Sequence, residues 1–106
     1  MYIRGKIVKD ALYFQVVEGY RDDAGRVRQR NIIALGQCED IDEALDQVAR
    51  DNARCKRRLK KLDEMWQSVE TVPGWARRET ERLRAALARQ AVYKAKLLEV
   101  QKRLSG

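Results

Sequence analysis

Apolar residues at Ile41, Leu45, Val48, Cys55, Leu59, Leu62, Trp66 and Val69 recur in alternating steps of four and three, with polar Asn52 keeping the rhythm between Val48 and Cys55. Only an α-helix brings such positions onto one face, and a spacing averaging 3.5 residues is the seam of helices that wind around one another. With Leu45 at heptad position a and Val48 at d, residues Asn52, Leu59 and Trp66 fall at a, and Cys55, Leu62 and Val69 at d. An Asn at an a position fixes register and helix number in such assemblies. The seam has to be covered, either by a second helix of the same chain or by another copy.

The limits of this helix are written beside it. Asp40 followed three residues later by Glu43 is a capping-box start, and Val72-Pro73-Gly74 is a break, because Pro lacks an amide donor and Gly permits the turn. A second helix is expected from about Trp75 to Leu104, with Leu83, Ala86, Leu87, Ala91, Leu97 and Leu98 as a less regular apolar stripe. So short a connection favours antiparallel packing, which predicts a helical hairpin over residues 38–106 turning near 72–74.

The residues ahead of the helix follow a different pattern. Tyr2 to Val8 is partly β-branched, and Lys9-Asp10 is a turn candidate. Ala11 to Tyr20 carries Leu12, Tyr13, Phe14, Val16 and Val17, the densest β-forming run in the chain. Asp22-Asp23-Ala24-Gly25 supplies a second turn, Arg26 to Leu35 a third extended run, and Gly36 its end. The fold class expected is therefore α+β: a three-stranded antiparallel meander over residues 1–37, then the helical hairpin. Strict alternation along the third run would set Arg26, Arg28 and Arg30 on one face and Val27, Gln29, Asn31, Ile33 and Leu35 on the other. An open sheet face is then expected to show Arg4, Lys6, Arg28 and Arg30, with Tyr13 and Gln15 from the middle strand.

Charge is unevenly distributed. The formal net charge is +7, yet residues up to Asp40 hold seven basic and six acidic side chains, whereas those from Ile41 onward hold sixteen and ten. A basic helical half favours polyanions such as nucleic acid. Its densest stretch is Arg54, Lys56, Arg57, Arg58, Lys60 and Lys61, six cations in eight residues that repel one another unless water or an anion screens them. A solvated flank is the plain reading of this cluster and phosphate contact the functional one. Arg77, Arg78, Arg82, Arg84 and Arg89 add to it on the second helix. In the sheet, Arg26, Arg28 and Arg30 could line a basic β-ribbon of the kind that enters a major groove, alongside Arg4 and Lys6.

Other chemistries find little to work with. There is no His, no acidic pair in an apolar setting, and no Gly-rich phosphate loop, so no enzyme activity is expected. Cys38 and Cys55 have no metal-ligand spacing and are expected to be free thiols, Cys55 as a small apolar seam residue. No cofactor or metal is expected. The N-terminal residues lack the continuous apolar core of a leader, and no run approaches a membrane span, which leads to the expectation of a cytoplasmic protein in a reducing compartment. Trp66 and Trp75 flank the break and are expected to pack at the hairpin tip, with a partner contact as the alternative.

One segment is distinctive. Tyr2-Ile3-Arg4, then Leu12 to Tyr20, Arg21-Asp22-Asp23-Ala24-Gly25, Arg26-Val27-Arg28-Gln29-Arg30 and Ala34-Leu35-Gly36 resemble the extreme N-terminus of DDE-class insertion-sequence transposases and of small mobile-element proteins. Tyr20-Arg21 and Val27-Arg28-Gln29-Arg30 are its most specific parts, and the likeness covers about a third of the chain. The resemblance implies a prokaryotic mobile-element setting; the catalytic domain would begin beyond this sequence, so no nuclease activity is carried over. In architecture alone, a sheet followed by a capped helix is similar to the arm-binding modules of tyrosine recombinases, whose sheet reads the major groove.

The function expected is thus non-catalytic nucleic-acid binding, DNA before RNA, by a homodimer with no membrane association. The alternative is a coiled-coil adaptor that binds another protein through Leu45, Val48, Asn52, Leu59, Leu62, Trp66 and Trp75.

Overall fold

The computed structural model describes residues 1–67 and 70–105, and among them three antiparallel strands precede two helices, an α+β layout. Strands β1 (Tyr2–Val8), β2 (Ala11–Arg21) and β3 (Val27–Gly36) form one sheet in the order β1-β2-β3; helices α1 (Ile41–Trp66) and α2 (Gly74–Ser105) follow. The chain divides into two compact units, Met1–Asp46 with Ala95–Gly106, and Gln47–Lys94.

In the first unit both hairpin turns follow from local chemistry. Lys9 and Asp10 take positive φ of 49° and 65°, the two-residue connection whose twist matches that of paired strands. At the β2–β3 turn, Asp22 accepts the backbone N–H groups of Ala24 (3.0 Å) and Arg26 (2.9 Å) on Oδ1, while Gly25 sits at φ 77°. Arg26 belongs to this turn, and β3 begins one residue later.

Strand register overturns the expected alternation along β3. Glu18 faces Arg30 and Val17 faces Asn31, but Val16 faces Ile33, so Ile32 is an extra residue in β3 and a second irregularity follows between Phe14 and Gln15. A bulge of this kind shifts all later side chains by one place. Ile33 therefore lies on the sheet face of Val16, Glu18, Tyr20, Arg28 and Arg30, and leaves the face of Gln29 and Asn31. Ile33 and Leu35 are buried with Val16, and together with Ile41, Ala44, Leu97 and Val100 they form a core in which no member is more than 5% exposed.

The cap expected at Asp40 is present and slightly extended. Asp40 Oδ1 accepts the N–H of Glu43 (2.8 Å), and the Glu43 carboxylate reaches back to the N–H of Glu39 (2.9 Å). Asp42 and Glu43 also place negative charge at the positive end of the α1 dipole. Asp42 is bound in turn by the amide of Gln101, 2.6 Å away near the end of α2.

The second unit is an antiparallel pair of helical segments. Asn52 donates to Gln90 Oε1 (3.3 Å), and the Gln90 amide donates to Cys55 Sγ (3.7 Å). Trp66 and Trp75 meet edge to face with ring centroids 5.9 Å apart. Among its described residues, Val48, Leu62 and Ala76 are the buried apolar side chains. Leu45 and Val48 of the expected seam are half-buried and buried, Asn52, Cys55, Leu59 and Trp66 half-buried; Val69, expected at position d, lies outside the described residues.

Candidate nucleic-acid interface

The sheet cations do not share a face. Arg4 is opposite Gln15 and Lys6 opposite Tyr13, whereas Arg28 is opposite Tyr20 and Arg30 opposite Glu18. Gln15 and Tyr13 are on one side of β2, Glu18 and Tyr20 on the other, so Arg4 and Lys6 are on the face opposite Arg28 and Arg30. The expected four-cation surface is corrected accordingly. Each strand alternates as its sequence suggests, but the parity between β1 and β3 is set by how both register on β2.

Three of these four cations are also engaged within the fold. Arg4 donates to Gln29 Oε1 at 3.0 Å, and the Gln29 amide donates to the Tyr2 hydroxyl. This bridge runs from β1 to β3 across β2 between Gln15 and Gly19, which puts it over Val17, a residue only 1% exposed. Arg28 is held by Asp22 at 2.7 Å, and Arg30 by Glu18 at 3.2 Å while its guanidinium stacks 5.2 Å from the Tyr20 ring centroid. Hydrogen bonding from Arg28, then from the backbone N–H of Arg26, lowers the Asp22 pKa below its ordinary value. The two sheet arginines act first as braces for the β2–β3 hairpin.

On α1 the expected cluster divides. Arg58 Nε lies 2.5 Å from Glu79 Oε1 on α2, and the pair locks helix to helix; it lowers the Glu79 pKa and raises that of Arg58. Lys56 borders a groove of about 420 Å³ with Val48, Asn52, Gln90 and Lys94, and Lys60 borders one of about 450 Å³ with Leu62, Trp66, Ala76 and Thr80. Arg54, Arg57 and Lys61 line neither groove. At 100° per residue these three fall within a narrow arc opposite Leu59 and Asn52, and stepping back four residues from Arg54 adds Arg50 to the same arc.

The sequence reading missed Arg50 because it counted local density and not helical position. All four side chains are exposed, and among the described residues none takes part in an ion pair. Arg50 makes one hydrogen bond, to the neutral Oε1 of Gln47 at 2.8 Å. Over eleven residues the row extends about 16 Å. On α2, Arg78, Arg82 and Arg89 are exposed as well, and Arg78 and Arg82 border a shallow recess with Glu81 and Ala85.

Among the described residues, no helix is long and apolar enough to cross a membrane, and no group of three His, Cys, Asp or Glu side chains is placed to hold a metal. Residues 6–99 match the family described as IS1634 family transposase, N-terminal domain. No curated protein and no solved structure matches the chain.

Proposed function

The chain belongs to the IS1634 family transposase N-terminal domains, and from that membership we propose that it is a non-catalytic DNA-binding module of a mobile element. The observation that carries this reading is the set of exposed cations on the helical unit that have no acidic partner among the described residues, Arg50, Arg54, Arg57 and Lys61 above all. Side chains of this kind release condensed counterions when they meet phosphates, and that gives affinity with little dependence on base sequence. The sheet arginines support the reading less, since their guanidinium groups are already bound by Asp22 and Glu18.

Fluorescence anisotropy of a labelled duplex, titrated with the protein at two salt concentrations, tests it. Binding that weakens strongly at the higher salt is expected. Absence of binding at the lower salt would remove the proposal.

A protein partner is the second reading, in which the module is a homodimer or an adaptor. It draws on apolar side chains left in solvent on α2: Val92 is 71% exposed and Trp75, at the end of the helix nearest the break, 45%. Light scattering across a concentration series tests the dimer, because an obligate dimer keeps twice the chain mass on dilution; the DNA titration is what separates the two readings.

A further inference from the structure

Resting on the DNA reading, we propose that duplex DNA lies across the outer face of α1, with the row Arg50, Arg54, Arg57 and Lys61 bridging the two phosphate backbones that border one groove. Three features of the row lead there. Its members repeat at steps of four, three and four, so they stand one above another on successive turns, each within reach of the next. Like charges so placed destabilise an isolated helix, and acids at intervening positions would relieve them. The outer arc between Arg50 and Lys61 contains no acid: the carboxylates of α1 stand before it, at Asp42, Glu43 and Asp46, beyond it, at Asp63 and Glu64, or on the seam side, at Asp51. Asp51 is itself hydrogen-bonded to Gln47, at 3.0 Å.

The charge pattern is therefore a bounded window. Carboxylates at both ends would repel a backbone running lengthwise along the helix, whereas a backbone crossing the helix meets only the cations between. A window of about 16 Å exceeds the major groove width of about 12 Å, so its end residues reach the phosphates on both rims. A single strand offers one backbone and cannot occupy both ends. Contacts of this kind go to phosphates and sugars and carry no base readout. The neighbouring cation Arg58 is excluded from the interface by its bond to Glu79, and Arg28 and Arg30 by theirs.

The test compares two double variants of the full chain on a labelled 20-base-pair duplex of arbitrary sequence and on either of its single strands. Arg54→Glu with Arg57→Glu changes only exposed helix positions and should lower duplex affinity by roughly thirtyfold or more, as the loss of two phosphate contacts and the gain of two repulsions require. Arg28→Ala with Arg30→Ala should change it by no more than about threefold, with circular dichroism confirming that the sheet is retained. The native chain should bind the duplex at least tenfold more tightly than the single strand, by analogy with the loss of half its contacts. Equal affinity of the helix variant and the native chain overturns the α1 placement while leaving DNA binding in force. Equal affinity for duplex and single strand overturns the bridging. Failure of the native chain to bind either one overturns the DNA reading and this inference together.

Discussion

Asp22 organises the β2–β3 turn almost unaided. Its carboxylate receives two backbone N–H groups and the Arg28 guanidinium, and these bonds favour the ionised form in the folded chain. Its lowered pKa gives the stability it contributes a definite pH dependence. Above the ordinary carboxylate range both folded and unfolded chains are ionised and the contribution is complete; as the pH falls below that range the unfolded chain takes up the proton first, and the contribution is lost as the pH passes the lowered folded value. Glu79, lowered by Arg58, acts in the same direction. Urea unfolding midpoints should fall between about pH 5 and pH 3, and Asp22→Asn should reduce that fall; an identical fall in both proteins would count against the role of Asp22. The β1–β2 turn is less well served by its residues. Lys9 and Asp10 hold positive φ, where Asn-Gly is preferred, so Lys9→Asn with Asp10→Gly should raise stability by about 1 kcal/mol. A lower thermal midpoint in the double variant would contradict the turn geometry.

At the scale of elements, what the sequence made legible was local. The Lys9-Asp10 and Asp22–Gly25 turns and the Asp40/Glu43 cap each depend on residues a few positions apart, and each is where the pattern placed it, whereas α1 ends at Trp66, ahead of the break expected at Val72-Pro73-Gly74, and Gly74 opens α2. What it hid depends on distant partners. No local signal marks Ile32 as the extra residue of β3, so the face assigned to Ile33 was wrong. Nor could alternation within β1 and β3 tell that Arg4 and Arg28 are on opposite faces, because β2 lies between them. The Arg58–Glu79 pair likewise joins two helices across the break, and so a cluster read as six equal cations contains one already bound. The helix seam is intermediate: its period was plain, but its partner was open until Asn52 was found bonded to Gln90 of the same chain. Asn52→Leu should therefore leave the mass in solution unchanged, since the residue it would touch is already on α2. A higher mass by light scattering would mean that the seam meets a second copy.

Over the whole molecule, the excess of positive charge is mostly unspent by the fold. Of the cations named from sequence as candidate contacts, Arg28, Arg30 and Arg58 are paired with acids, and Arg4 is held by Gln29. Lys6, Arg26, Arg54, Lys56, Arg57, Lys60 and Lys61 have no ion pair among the described residues, and α1 orders Arg54, Arg57 and Lys61, with Arg50, into a line. The basicity that favours a polyanion thus lies mostly on the helices, with four cations in one row along α1 and further exposed arginines on α2, while Arg28 and Arg30 of the most distinctive sequence segment serve the stability of the sheet. Four phosphate contacts imply a definite ionic-strength dependence, and measuring the duplex association constant across a salt series examines it directly. The logarithm of that constant should fall against the logarithm of salt concentration with a slope of about −3.6. A slope near zero would mean that phosphates are not what the helix row meets.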